Sequence, residues 1–271
     1  VQPITCLTIA GSDSGGGAGI QADLRTFSAF KVHGTSAITA VTAQNTVGVQ
    51  AVHAVPLDVV AQQVNSVLSD FSVLGVKTGM LATADIASQI ASIASSGALG
   101  NLIVDPVVVS STGHPLLGEG GLEVYRSELL RYAHIVTPNL REAAALADVD
   151  VRDISTRDDM ESVGRLILSF GPTYVLVKGG HFGHDSEPSA PDVLVSAEGV
   201  EVIEGDRIDT RNDHGTGCSL SAALTALIAQ GKSPSQAVRE AKSFVANALR
   251  GGSSWQLGQG RGPIDHLGWN Q

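Results

Sequence analysis

The chain has 271 residues, 43% of them apolar and 16% charged, with 31 glycines, which is room for one large α/β domain (1–271) with many tight turns and no need of a second core. With 17 basic against 27 acidic residues the formal charge is −10, and no cluster of Lys and Arg stands out, which argues against a nucleic-acid surface. There is no continuous apolar window of about 18 residues, no basic and apolar leader at the start, and Cys6 and Cys218 are too few for a disulfide framework or a zinc site, so a cytoplasmic protein with free thiols and no membrane partner is expected.

A β-rich run at Ile4–Ala10 leads through a glycine-rich loop into a helix at Ala18–Phe30. A strand at Thr35–Ala43 precedes a helix at Leu57–Phe71, where Leu57, Val60, Ala61, Val64, Val67 and Leu68 recur at helical spacing. Strand and helix then alternate: Val73–Lys77, Thr83–Ser95, Leu102–Asp105, Gly120–Tyr132, His134–Thr137, Asn139–Ala147. A helix at Thr156–Phe170 leads to Tyr174–Lys178, whose unbroken apolar run reads as a strand buried on both faces. Gly179–Pro191, rich in Gly, Ser, Pro and acids, reads as a flap. Val193–Asp209 holds two short β-like runs around Gly199 and a third after Gly205, expected as antiparallel strands at a sheet edge. Helices at Gly217–Gln230 and Pro234–Arg250 complete the chain. The alternation predicts an α/β fold: right-handed βαβ units in a doubly wound, mostly parallel sheet with helices on both faces and a small lid. Ligands of such sheets bind beyond the carboxyl ends of the strands.

Four constellations fall at those ends. In the loop from Gly11 to Gly17, glycines let backbone approach a small ligand. Gly17 to Ala22 fits a loose G-x-G-x-x-A dinucleotide pattern, but no acidic residue closes a strand about 20 residues later to hold a ribose. Asp23, one turn into the following helix, is either a solvent-facing residue or a hydrogen-bond partner for a polar ring substituent. Gln44, in Thr-Ala-Gln-Asn-Thr, can donate and accept, which suits a heteroaromatic edge; the bland reading is a polar turn. Asp105, the segment from Thr137 that carries Asn139 and Glu142, and Lys178 fall at three separate strand ends. An Asp and a Glu with an Asn can hold hydrated Mg²⁺, and Lys178 can meet phosphate charge; alternatively, Asn139 and Glu142 form a capping box.

The fourth is Asn212 to Ala223, a glycine-punctuated turn running into an apolar helix. Its first amides lack helical partners and its dipole adds positive potential, so Gly215, Thr216 and Gly217 mark an anion hole. Cys218 lies in that first turn, where the dipole favours its thiolate. Its bland reading is a small packing residue, and Cys6 reads only as that. His214 is expected to hydrogen-bond within the loop. No Walker A loop exists: Ala226 to Ser233 lacks the first glycine and sits at a helix C-terminus.

Gly-Ser-Asp-Ser-Gly-Gly-Gly-Ala-Gly-Ile-Gln-Ala-Asp, Thr-Ala-Gln-Asn-Thr, Asp-Pro-Val, Thr-Pro-Asn-Leu-x-Glu, Val-Lys-Gly-Gly-His and His-Gly-Thr-Gly-Cys occur in that order. Over about Ile4 to Trp269 the chain thereby resembles the hydroxymethylpyrimidine/phosphomethylpyrimidine kinases of thiamine biosynthesis, in the ribokinase superfamily. The resemblance implies a ribokinase-like fold, a small-molecule pyrimidine substrate and two ATP-dependent phosphorylations with Mg²⁺. It implies pyrimidine contacts at Gln44, Gly11 and Asp23 with Met80 as an apolar wall. It also implies Cys218 where most relatives carry a catalytic Asp, with the anion hole at Gly215 to Cys218. Asn139, Glu142, Lys178 and Thr216 fall on the nucleotide and Mg²⁺ side, with Asp105 a further metal candidate. Asp213 departs from the family's usual Thr and puts a carboxylate where it would repel triphosphate oxygens unless it faces away or meets the metal. The rivals are a pyridoxal kinase of the same Cys-bearing type, a pyrimidine-binding sensor without catalysis and, a distant third, a nicotinamide oxidoreductase. Apolar helices scattered along the chain permit a homodimer.

Overall fold

The computed structural model describes residues 2–109, 115–180 and 189–270. Nine strands form one sheet in the order β3-β2-β1-β4-β5-β6-β7-β8-β9: β1 Thr5–Asp13, β2 His33–Asn45, β3 Gly48–Ala54, β4 Val73–Thr78, β5 Leu102–Val104, β6 Ile135–Val136, β7 Tyr174–Lys178, β8 Asp192–Ser196 and β9 Val200–Ile203. The six strands from β2 through β7 in that order are parallel, and β3, β8 and β9 pair antiparallel at the two edges. From β1 the chain first adds β2 on one side and later β4 on the other, so the direction of winding reverses at β1, the place where sheets of this kind open a crevice at their carboxyl edge.

The helices are α1 Gly19–Ala29, α2 Leu57–Asp70, α3 Ala84–Ser95, α4 Gly121–Val124, α5 Leu140–Ala147, α6 Arg157–Leu168, α7 Thr216–Ala229 and α8 Pro234–Gly252. Alternate strand residues feed opposite cores, as the two-residue period requires. Leu102, Val104, Val175 and Val177 join Val64, Ile90, Leu146, Met160 and Ile167 from α2, α3, α5 and α6. Ile103, Ile135 and Leu176 join Leu224, Leu227, Val238 and Val245 from α7 and α8, and α1 packs beside them through Phe27 against Ala222 and Ala226. The helix α7 is buried continuously from Ser219 to Ile228. It lies close to the sheet because β4 offers Gly75 there: a side chain at that position would start 3.0 Å from the Thr225 carbonyl oxygen and 3.2 Å from Ala229 Cβ.

Several expected boundaries change. The strand expected to stop at Ala10 continues to Asp13, across a register shift in which Gly11 alone stands opposite Thr39 and Ala40, so that the extra residue lies on β2. The strand β3 was unforeseen; its Gln and His residues interrupt the apolar pattern because it is an exposed edge. Gly120–Tyr132 is helical throughout but passes from α4 into a wider turn at Tyr125–Leu129 and a tighter one at Leu130–Tyr132. The third β-like run after Gly205 is only an isolated bridge between Asp206 and Ser189. The expected flap falls mostly on 181–188, outside the described residues. Its near end is pinned, the Gly179 amide donating to Asp192 Oδ1 at 2.9 Å. Among the described residues no helix is long and apolar enough to cross a membrane.

Candidate active site

The crevice at the winding reversal is organised by Asp13, the last residue of β1. Its Oδ1 accepts the Gly15 amide at 2.8 Å, and its Oδ2 accepts the amides of Gly17 at 3.0 Å and Ala18 at 2.9 Å. His214 Nε2 approaches the same Oδ2 at 2.9 Å. Burial pushes this carboxyl upward, but His214 and the loop amides outweigh it and hold it below the usual range. The glycine loop is thus wound around its own carboxylate, and three of its amides serve the turn rather than a ligand.

His214 joins the opposite wall as well. Gln44 Nε2 lies 3.1 Å from its Nε2, and the Gln44 side-chain oxygen accepts from the Thr42 hydroxyl at 3.2 Å. The Ser14 hydroxyl ties the two loops by donating to the Gln44 carbonyl at 2.6 Å and accepting its amide at 2.8 Å. Gly11 and Met80 meet as expected of neighbours: a Cβ on Gly11 would lie 3.1 Å from Met80 Sδ. Met80 is buried.

At the start of α7, Gly215 takes φ +87° and has no side-chain cap to offer. A Cβ there would lie 1.8 Å from the Gly17 carbonyl oxygen, so the two glycine turns interlock backbone to backbone. The Thr216 hydroxyl donates to the Asp213 carbonyl. The amides of Gly217 and Cys218 belong to the first turn, which has no intrahelical acceptor for them, while α5, α6 and α8 begin with complete capping boxes. A Cβ on Gly217 would lie 3.4 Å from Lys178 Nζ.

Beneath this turn runs a row of alternating charges. Lys77 Nζ lies 2.9 Å from each oxygen of Asp23, and neither side chain is exposed. Next come Asp105, 3.2 Å from Lys178 Nζ, and Glu142, whose charge also acts on Lys178. Burial disfavours the charged form of Lys178, yet Asp105 and Glu142 overcome it and raise its pKa. Asp105 accepts from Thr137 at 3.2 Å and Ser221 at 3.3 Å, so both its oxygens are engaged within the fold. Glu142 closes the capping box: its Oε2 accepts the Asn139 amide at 2.8 Å, and Asn139 Oδ1 accepts the Glu142 amide at 3.0 Å. Burial, opposed by Lys178, pushes the Glu142 carboxyl up to about 7.

Three expectations are corrected. Asp23 is not solvent-facing; it is fully enclosed, with Thr8 donating to it at 2.6 Å. The Cys218 thiol is not poised as a thiolate. Burial raises it to about 12, against the pull of Lys77 and a hydrogen bond from the Gly19 amide at the start of α1; the dipole of one helix is too small to offset that desolvation. Asp213 does not bring a bare carboxylate to the cleft: Arg261 forks onto it, Nε at 2.7 Å from Oδ1, from the C-terminal segment. Sequence reasoning missed Asp13, Lys77 and Arg261. Lys77 carried a signal, since a lysine ending the apolar run Val73–Lys77 must find a buried partner. Arg261 carried none.

Among the described residues no three His, Cys, Asp or Glu side chains converge as a metal site. A hydrated Mg²⁺ that arrives on nucleotide phosphates keeps its waters and needs only one or two protein carboxylates. Glu142 is the carboxyl whose chemistry suits this role, being buried and pushed upward by burial and by the Asp105 charge against the pull of Lys178.

The mostly parallel nine-stranded sheet, its winding reversal and the uncapped helix start at the carboxyl edge give the architecture of a ribokinase-like kinase. The phosphomethylpyrimidine kinase family matches residues 13–265, and the chain belongs to that family. It is 45% identical to the hydroxymethylpyrimidine/phosphomethylpyrimidine kinase of Escherichia coli over 98% of both chains. It is similar in structure to Bacillus subtilis pyridoxal kinase, solved as an ADP complex, with a TM-score of 0.87 and 36% identity over 98% of both chains. It is also similar to phosphomethylpyrimidine kinase of Clostridium difficile, with a TM-score of 0.79 and 40% identity over 91% of this chain and 99% of the other.

Proposed function

We propose that the chain transfers the γ-phosphoryl group of ATP to the hydroxymethyl group of hydroxymethylpyrimidine, and then to the resulting monophosphate, in thiamine biosynthesis. The observation that carries the reading is the start of α7: the Gly217 and Cys218 amides without a side-chain cap, beside Lys178. Such a group of fixed donors stabilises charge on a transferring phosphoryl group without reorganising. Gln44, held by Thr42 and His214, presents a donor–acceptor edge to the pyrimidine, with Gly11 and Met80 as the wall. Lys178, Thr216 and Asn139 line the nucleotide side, and Mg²⁺ held by Glu142 would neutralise phosphate charge there. Asp105 fixes Lys178. Asp23 supports the pocket from behind rather than touching substrate.

Cys218 is the group assigned to receive the hydroxyl proton. Because its thiol sits at about 12, only the ionised fraction can accept a proton, and turnover should climb about tenfold per pH unit through the neutral range. The test is ADP release with products weighed by mass spectrometry. Cys218→Ala should lose at least ~100-fold in kcat together with the pH slope, and unchanged turnover in that variant would remove the assignment.

Pyridoxal kinase is the second reading, favoured by the close match in shape to the Bacillus subtilis enzyme. The higher identity to pyrimidine kinases argues for the pyrimidine; a wide preference for pyridoxal in parallel assays would reverse the choice. The sensor reading loses its motive once Arg261 neutralises Asp213. A second copy of the chain fits the exposed Val41, Val47 and Val52 around the edge strand β3, and sedimentation velocity checks it.

A further inference from the structure

The geometry points to Lys77 as a positioning residue for this reaction: its buried ammonium, anchored by Asp23 behind the first turn of α7, sets how readily the Cys218 thiol ionises. The catalytic consequence rests on the reading of Cys218 above; the effect on the thiol does not.

Register places the ammonium there. Gly75 faces Thr225 and Ala229 of α7. Lys77, two residues on, faces the same way and sits about 6.6 Å nearer the carboxyl edge. That advance equals roughly four residues of helix, and since α7 begins at that edge, Lys77 lies level with its second turn. The side chain then reaches further, its Nζ 3.1 Å from where a Cβ on Gly79 would be, toward the turn that holds Cys218. Asp23 takes two of its three N–H groups. The Thr8 hydroxyl satisfies Asp23 from β1 and keeps the carboxylate turned to the lysine.

A buried ion pair is seldom retained for stability, because a packed apolar pair of the same volume does as well or better. This one lies under a nucleophilic atom. Among the charges that act on Cys218, Lys77 from β4 is the foremost and favours the thiolate; Asp23 from α1 and Asp105 after β5 oppose it, and the Gly19 amide assists. Lys178 from β7 is coupled to the same thiol. When Cys218 gives its proton to water, the new negative charge faces an ammonium already desolvated and fixed, so no reorganisation is needed.

The test measures iodoacetamide alkylation of Cys218 at pH 9 by mass spectrometry, on the full chain without substrates, in a Cys6→Ala background so that one thiol reports. Asp23→Asn frees Lys77 and should raise the alkylation rate about tenfold, the change expected for one unit in thiol pKa. Lys77→Met should lower it by a similar factor. Since that variant leaves Asp23 buried and unpaired, Lys77→Met/Asp23→Asn, which removes both charges, is the companion; it too should alkylate more slowly than the parent, because Lys77 outweighs Asp23. Circular dichroism and melting confirm that each variant is folded. Rates within twofold of the parent in Asp23→Asn and the double variant, or shifts of the same sign in both, would overturn the inference. A Cys218→Ala enzyme that still turns over would instead sink the proton-acceptor reading while leaving the alkylation pattern intact.

Discussion

Gly215→Ala should separate backbone strain from loss of the site, with Gly97→Ala as its control. Both glycines have left-handed backbones, φ +87° at Gly215 and +79° at Gly97, and forcing an L-residue into that region costs ~1–2 kcal/mol. A Cβ at Gly97 meets nothing within 4 Å. At Gly215 it would lie 1.8 Å from the Gly17 carbonyl oxygen, when ordinary contact begins at 3.4 Å. The turn must therefore retreat by ~1.6 Å, and Gly17 cannot yield, because Asp13 holds its amide at 3.0 Å. A displacement of ~1 Å in catalytic geometry costs ~100-fold in rate. Gly97→Ala should lower Tm by about 2–8 °C and leave kcat unchanged. Gly215→Ala should lower Tm further and cut kcat at least ~100-fold, read by ADP release at saturating substrate beside a thermal melt. Turnover of Gly215→Ala within threefold of the parent would refute the claim that this interlock positions the α7 amides.

Asp13→Asn replaces an acceptor of three amides with a group that must turn an NH2 toward one of them, and should cost ~2 kcal/mol, seen in urea unfolding. The native Asp13 carboxyl is held low, so its stabilisation is full above the unfolded pKa near 3.8 and is lost as pH falls through the lower folded value; Asp13→Asn should lack that acid limb. His266 acts in a different window. Burial, with help from Arg25, lowers it from 6.5 to about 4. The unfolded chain therefore binds the extra proton first, and stability should fall by ~3 kcal/mol as pH drops from 6.5 to 4. His266→Gln, still able to meet Ser219, should flatten that part of the Tm–pH curve; an unchanged curve would remove His266 as the cause. Arg261→Ala leaves Asp213 without its counter-charge and should raise KM for MgATP more than it lowers kcat.

The elements that were legible in the sequence are those whose pattern reflects one dominant force. Tyr174–Lys178 is buried on both faces and reads as an unbroken apolar run, and Asn139 with Glu142 reads as a capping box because capping is local. The exposed edge strand β3 has only one sheet neighbour, and Gln50 and His53 interrupt its apolar run. The helix over Gly120–Tyr132 is visible as a helix, but its widened middle, which includes the buried Tyr125 and Leu129, leaves no mark in the periodicity.

The site divides along the same line. Glycines at 215 and 217, Gln44, Lys178 and Cys218 announce themselves by residue type at strand ends and helix starts. The pairings that decide their chemistry span long separations: Asp13 with His214, Asp23 with Lys77, Asp213 with Arg261. Each of those pairs alters a charge that sequence alone had to treat as isolated. Taken singly, Asp23 is a surface residue or a ligand contact, Asp213 a source of repulsion unless it faces away, and Cys218 a helix-dipole thiolate or a small packing residue. Taken in their pairs, Asp23 anchors a buried lysine and Asp213 is neutralised. Cys218 is then a thiol whose ionisation is governed by the balance between burial and Lys77. The dipole that first drew attention to Cys218 acts with Lys77 against burial, but both helix starts together still leave the thiol protonated. What distinguishes this cysteine from the buried Cys6 is the ammonium near it: the causes that shift Cys6 are burial and a single backbone amide, with no charged neighbour.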